Sequence, residues 1–229
     1  MKKYLFTMLA VVFLALGLSS LVESPANVEQ RVRGEAQRLI DEASAIEPEI
    51  TALLMSMESE NVKLIGLDYR LKSIESLAGK IQRYVVNQGM TLQDAVNEMH
   101  DVLRYTFCIK DGQYTEKTLE VLGSLRERGY DLRWFANYWR DRTYKGINTL
   151  VHFRSGSDFI FEIQFHTPES FDTKENKTHR YYEIMRSVTS TKEEIQEARE
   201  KCIELFDAVP SPEGAEDIRW EAEFMKDAA

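Results

Sequence analysis

The chain has 229 residues, 43% of them hydrophobic and 29% charged, with a net charge of −9 at neutral pH. That balance is globular and excludes disordered and collagen-like classes, while the surplus of acid excludes a general nucleic-acid binder. The two cysteines, Cys108 and Cys202, lack a CxxC or metal-ligand spacing, so zinc is not expected, and two small buried thiols are a plainer reading than a disulfide.

In chain order, Met1-Lys2-Lys3 is a basic start, Tyr4 to Leu18 is almost wholly apolar, and Ser24 and Ala26 are small residues suited to a cut. That order is the plan of a secretory signal peptide over 1–26 and predicts an exported, periplasmic or secreted protein. The alternative is an uncleaved anchor, since the run stretches towards Leu21 and approaches the roughly 18 residues that begin to span a bilayer. Membrane contact is expected through 1–26 alone. Without Lys2, Lys3 and Glu23 the rest carries 27 basic and 37 acidic residues, a net of −10.

Apolar residues at Leu39, Ile40, Ala43, Ile46, Ile50, Leu53, Leu54 and Met57 predict a helix from about Val28 to Met57, bent near Pro48, as an N-terminal extension over 27–61. Val62 to Tyr69 reads as a strand, Ser73 to Val86 and Thr91 to Met99 as helices, and Val102 to Ile109 as a second strand. Tyr114 to Arg128 is an amphipathic helix closed by Gly129. Three strands follow, Asp131 to Trp139, Asn148 to Arg154 and Phe159 to His166, the last two joined by a turn at Ser155 to Asp158. Lys174 to Ser187, Lys192 to Ala208 and Glu213 to Lys226 read as helices, with residues 191–229 as a C-terminal helical part. The order predicts an α+β domain over 62–190, a small mixed β-sheet flanked by helices.

Three clusters carry chemistry. In RLKSIESLAGK, Arg70, Lys72, Ser76 and Lys80 lie at a strand-to-helix junction, where base and a helix start together suit a polyphosphate; a solvated basic patch with Ser73 as N-cap is the plainer reading. In HDVLRYT, Asp101 stands before a strand and can hold a metal, with Arg104 to meet a base or phosphate; a capping Asp and a surface Arg would look the same. His100-Asp101 also spells the pair of metal-dependent phosphohydrolases, but the further ligands of such a site cannot be placed. In FEIQFHT, Glu162, Gln164 and His166 project to one face of a strand and Phe161, Ile163 and Phe165 to the other, as on a functional surface or on a strand wetted on one side.

In this order the clusters resemble the synthetase domain of the RelA/SpoT family, over about Val62 to Arg186. The matching residues are Arg70, Lys72, Ser76 and Lys80, then Asp101, Tyr144-Lys145-Gly146, Glu162 with Gln164, and His179 followed by Tyr181-Tyr182. The resemblance implies a nucleotidyltransferase-like fold and transfer of pyrophosphate from ATP to a ribose hydroxyl of a nucleotide. Arg70, Lys72, Ser76 and Lys80 would hold the donor phosphates, with Arg104 against its adenine. Asp101 and Glu162 would hold Mg²⁺. Glu162 would take the hydroxyl proton beside Gln164, and Tyr144, Lys145, Gly146, Asn148, His166 and His179 would serve the acceptor. No hydrolase domain is expected.

The chain departs from the family at Arg104 and Thr106, where a glycine and then an arginine are usual. It also departs at Ile147, where a tyrosine stacks on guanine, and at Val151 and His166, where a histidine and an arginine are usual. An acceptor other than a guanosine nucleotide is therefore expected, with Tyr138, Trp139 or Tyr144 as substitutes for the stacking ring. Export of an alarmone-synthetase-like enzyme points to a toxin-like effector. The alternatives are an inactive nucleotide-binding module on the same fold and an exported toxin of other chemistry.

Overall fold

The computed structural model describes residues 25–153, 159–187 and 189–220. The signal-peptide or anchor reading, but for residues 25 and 26, and the turn at Ser155 to Asp158 lie outside the described residues. Among those described, no helix is long and apolar enough to cross a membrane.

The described residues divide into two compact units, one of residues up to Leu39 with Ser73–Met99, the other of Ile40–Lys72 with those from His100 onwards. Helix α1 (Pro25–Met55) contributes to both and holds Pro48 in its interior without ending there. The first unit otherwise consists of α2 (Ile74–Gln88) and α3 (Leu92–Asn97). Ser73 caps α2, its hydroxyl accepting from the Ser76 N–H, and Gly89 ends the helix at φ 67°, a left-handed conformation that favours glycine. Val32 and Ala36 of α1, Leu77, Ala78 and Ile81 of α2, and Ala95, Val96 and Met99 are buried, the three-and-four spacing that makes a helical core.

The second unit is built on a five-stranded sheet. In chain order its elements are β1 (Val62–Ile65), a 3₁₀ turn (Leu67–Tyr69), β2 (Arg104–Ile109), α4 (Tyr114–Glu127), β3 (Tyr130–Asn137), β4 (Ile147–Phe153) and β5 (Ile160–His166). After the sheet come α5 (Pro168–Asp172), a π-helical turn (Thr173–Thr178), α6 (His179–Arg186) and α7 (Lys192–Asp207). The strand order is β1-β2-β5-β4-β3, with β2 and β5 parallel and every other pair antiparallel. This is the expected α+β class, a mixed sheet with helices.

Register gives the sheet two unlike faces, because residues paired across strands share a face. Tyr105, Phe107 and Ile109 of β2 align with Ile163, Phe165, Ile147, Thr149 and Val151 on an apolar face. Phe107 and Phe165 stack there at 5.7 Å between centroids, and the Tyr105 hydroxyl meets Thr51 Oγ1 of α1 at 2.6 Å. Burial pushes the Tyr105 phenol up to about 12. The opposite face carries Arg104, Thr106 and Cys108 beside Glu162, Gln164 and His166, with Asn148 alongside Gln164. Cys108 and Cys202 are both free thiols.

The expected helix from Glu213 is corrected over its described part: only Ala215–Asp217 is helical, as a single 3₁₀ turn. Pro210 and Pro212 and the left-handed Gly214 (φ 71°) precede it. The Asn137 amide donates to the carbonyls of Ala215 and Ile218, and Arg140 pairs with Glu216 and Asp217, so this segment is tied to the β3 end instead of coiling on itself.

Candidate active site

Three main-chain hydrogen bonds gather the site at the end of the sheet where β2 and β5 begin. Lys72 N–H donates to Val102 O (2.9 Å), Arg104 N–H to Arg70 O (2.8 Å) and Glu162 N–H to Leu103 O (3.0 Å), around a bridge between Leu71 and Leu103. Backbone pairing thus sets Arg70 to Lys72 beside Asp101 to Arg104, and both beside Glu162. These segments are far apart in the chain, and a β-ladder holds them within one residue of register.

Charges here are matched. Lys72 Nζ donates to Asp101, both side chains at most one-fifth exposed. The Arg70 guanidinium pairs with Glu47 of α1 and also donates to Leu67 O. The hydrogen bond from Arg70 holds the Glu47 carboxyl below the usual range, and the Arg70 guanidinium is raised in return.

The strand FEIQFHT is buried on both faces: Glu162 is 8% exposed, Gln164 4% and His166 0%. A strand wetted on one side does not look like this, because a buried polar face has to be satisfied inside the protein. Gln164 Nε2 donates to Glu162 Oε1 (2.8 Å), Lys174 Nζ donates to Gln164 Oε1 (2.9 Å), and Lys174 Nζ also donates to Glu175 Oε1 (2.6 Å). Lys174 is on the π-helical turn, a wide turn frequent at functional sites. Burial and the neighbouring Arg104 charge lower its pKa, against which Glu175 and Glu162 favour the charged form.

His166 is bonded at both ring nitrogens, Nε2 to the Tyr144 hydroxyl (2.8 Å) and Nδ1 to Ser170 Oγ (2.9 Å). Desolvation, reinforced by the Lys174 and Arg104 charges, holds the imidazole well below its ordinary pKa, so it is neutral. The Tyr144 hydroxyl donates to Asn148 Oδ1 (2.8 Å), and its ring packs edge-on against Tyr138 and His166. Gly146, at φ 152°, passes so close that a Cβ there would stand 2.8 Å from His166 Cε1. Lys145 Nζ donates to Trp139 O (2.6 Å) and Tyr138 N–H to Gly146 O (2.9 Å), closing the 138–146 loop on itself.

Of the residues singled out from sequence, Arg70, Lys72, Asp101, Arg104, Glu162 and Gln164 share this end of the sheet. Tyr144, Lys145, Gly146, Asn148 and His166 form the inward-bonded loop beside it. Ser76 and Lys80 lie on α2 in the other unit, where Ser76 N–H serves the cap and Lys80 lies over the Tyr84 ring at 5.8 Å. His179, 63% exposed at the side chain, faces Glu183 at 3.9 Å. Ile147 is fully buried on the apolar face, and of the three substitute rings Trp139 is fully buried while Tyr144 bonds inwards. Tyr138 remains half-exposed, with its phenol raised by burial, Asp141 and the Glu162 charge.

Among the described residues no cluster of three or more His, Cys, Asp or Glu side chains could cage a metal ion. The donor set, two carboxylates on adjoining segments, fits Mg²⁺ arriving with its substrate, because that ion keeps waters and phosphate oxygens and asks one or two carboxylates of the protein. Sequence reading missed Lys174, Glu175, Ser170 and Glu47. A part-buried lysine within KENK carries no local signal, whereas the Thr167-to-Ser170 capping box was open to view.

No protein-family model matches the chain, and no curated protein does. Among solved structures it is similar to the Type VI effector Tas1, known in complex with its immunity protein, at 20% identity and a TM-score of 0.45 over 82% of this chain and 98% of that one. It is similar to a GTP pyrophosphokinase family protein from Streptococcus pneumoniae at 14% and 0.47, over 87% and 95%. The small alarmone synthetase 1 from Bacillus subtilis bound to its product pppGpp gives 15% and 0.44, over 78% and 92%. At identities of 20% or less and TM-scores below 0.5, these likenesses assign no chemistry to this chain.

Proposed function

We propose that the chain is an ATP-dependent nucleotide pyrophosphokinase. The observation that carries this reading is the enclosed Glu162 carboxylate, with one oxygen held by Gln164, at the sheet end that also gathers Arg70, Lys72, Asp101 and Arg104. A ribose hydroxyl oxygen bonds to the β-phosphorus of ATP, the bond from that phosphorus to the α,β-bridging oxygen breaks, and AMP leaves with the bridging oxygen. The hydroxyl proton passes to Glu162, whose second oxygen is the one not held by Gln164. Arg70 and Lys72 exchange their present partners, Glu47 and Asp101, for donor phosphates. Asp101 and Glu162 would hold Mg²⁺, which would supply charge neutralisation on the phosphates. Phosphoryl transfer asks mainly for such positioning and neutralisation.

Tyr138 is the ring for the acceptor base, and His179 serves the acceptor. Tyr144, Asn148 and His166 shape the acceptor loop from within, and Lys145 and Gly146 fix its closure. With Ile147 in the core, no ring stands at the usual guanine position, which favours an acceptor other than a guanosine nucleotide. The basic and apolar order of residues 1–26 supports export, and with it a toxin-like effector role.

The test is AMP release by the full chain with ATP, Mg²⁺ and a panel of nucleoside mono-, di- and triphosphates. Glu162→Gln is expected to lower turnover by about 10²–10⁴-fold. If no acceptor yields AMP, or if Glu162→Gln equals the parent, the reading falls. A nucleotide-binding module that has lost turnover is the second reading, favoured by the missing guanine ring. ATP binding without AMP release from any acceptor would select it.

A further inference from the structure

We infer that Lys174 is a positioning residue that anchors the Gln164 amide by its carbonyl oxygen and so aims the Glu162 carboxylate. The inference rests on the pyrophosphokinase reading only for what Glu162 then does. A glutamine between two polar neighbours can present its oxygen or its nitrogen to either, and the two orientations differ little in shape. A lysine ammonium has donors and no acceptor, so the Gln164 atom 2.9 Å from Lys174 Nζ is the carbonyl oxygen. The amide nitrogen is then turned to Glu162 Oε1, 2.8 Å away, where an ionised carboxylate can only accept. Without the lysine the carboxylate would still draw the amide nitrogen, but the buried carbonyl oxygen would lose its partner and the amide would no longer be anchored against Glu162.

The surroundings keep the lysine in that role. Glu175 Oε1, at 2.6 Å, balances its charge, and the π-helical turn fixes its backbone, with Thr178 Oγ1 donating to Thr173 O (2.9 Å) and Lys174 O (3.2 Å). Arg104 stands opposite on β2, in register with Glu162, and bears on Lys174, Glu175, His166 and Tyr144 alike. With one Glu162 oxygen occupied by the amide, the other is free of the relay and faces one direction. Lys174 thus acts through Gln164 and is not required to touch a substrate.

Two measurements on the full chain test this, one independent of turnover. In ¹⁵N-labelled protein the Gln164 side-chain amide signal, identified by its loss in Gln164→Leu, is expected to move when Glu162→Gln is introduced. In a Lys174→Met background, where the amide is no longer anchored, the same Glu162→Gln change is expected to move it clearly less. Equal movement in both backgrounds would overturn the inference whether or not the protein turns over. For turnover, Lys174→Met is expected to lower kcat by about 10–100-fold with KM for ATP within about twofold. In a Gln164→Leu background the same substitution should cost less than about twofold, since the path is already cut. Additive losses would overturn the inference. AMP release absent from the parent would sink the pyrophosphokinase reading and leave the amide measurement to decide on Lys174.

Discussion

Replacing Gly146 with alanine adds one methyl group where the protein has least room for it. The new Cβ would stand 2.8 Å from His166 Cε1, 3.0 Å from His166 Nδ1 and 3.0 Å from Phe165 O, against the ~3.5–4.0 Å of a comfortable carbon contact. Neither neighbour yields easily. The imidazole is fully buried and bonded at both nitrogens, and Phe165 O lies in β5 and accepts from the Tyr114 hydroxyl at 2.9 Å. Overpacking of this kind costs about 1–3 kcal/mol, and holding a side chain at φ 152° about 1–3 kcal/mol more. The sum, about 2–6 kcal/mol, is a large part of the ~5–15 kcal/mol by which domains are stable. Urea unfolding followed by circular dichroism should show it: at ~1–3 kcal/mol per molar the midpoint falls by about 0.7 M or more. Gly123→Ala is the control, for its Cβ would meet nothing within 4 Å inside α4, and removing a helical glycine should raise stability by about 0.5–1 kcal/mol. A Gly146→Ala midpoint within about 0.3 M of the parent would refute the close approach of the loop to His166.

The Glu47 carboxyl, lowered first by its hydrogen bond from Arg70, stabilises the fold above its unfolded pKa, and this is lost as pH falls through the depressed folded value. Glu47→Gln should therefore cost about 1–3 kcal/mol at pH 7 and less below about pH 4, as urea midpoints at both values would show. His166 is held neutral by burial, so its contribution is present above the ordinary histidine pKa of about 6.5 and is lost as pH falls below it. Stability should fall by up to about 1.4 kcal/mol per pH unit between about pH 6.5 and 5, and the slope should flatten in His166→Gln; an unchanged slope would show that the ring protonates freely in the folded protein.

The strands were legible because their alternation is written locally. FEIQFHT separates three polar side chains from three apolar ones, and the structure places them on opposite faces. What alternation could not tell is whether the polar face meets water or protein, since burial depends on what later packs over it. Here it is satisfied by side chains from α5 and the π-helical turn, two elements read as part of a loop and the start of one long helix. Ser73 as N-cap was equally readable, being a contact between residues three apart. Glu47 and Arg70 meet across 23 positions, and neither has a neighbour in sequence that announces the other. The helix expected from Glu213 failed for a related reason: the Asn137 amide, 78 residues away, engages the Ala215 carbonyl.

The π-helical turn between α5 and α6 also sets an angular phase. Such a turn closes i to i+5 hydrogen bonds instead of i to i+4, so it takes in one residue more than an α-helical turn. Each helical residue advances the chain by about 100°, so the extra residue determines which side of α6 faces α7. A side-chain change between Thr173 and Thr178 leaves that phase as it is. Deleting one residue there would let the segment close as an ordinary helix and turn His179 through Arg186 by about a quarter of a revolution relative to Lys174. For this stretch, length is therefore a stricter constraint than composition.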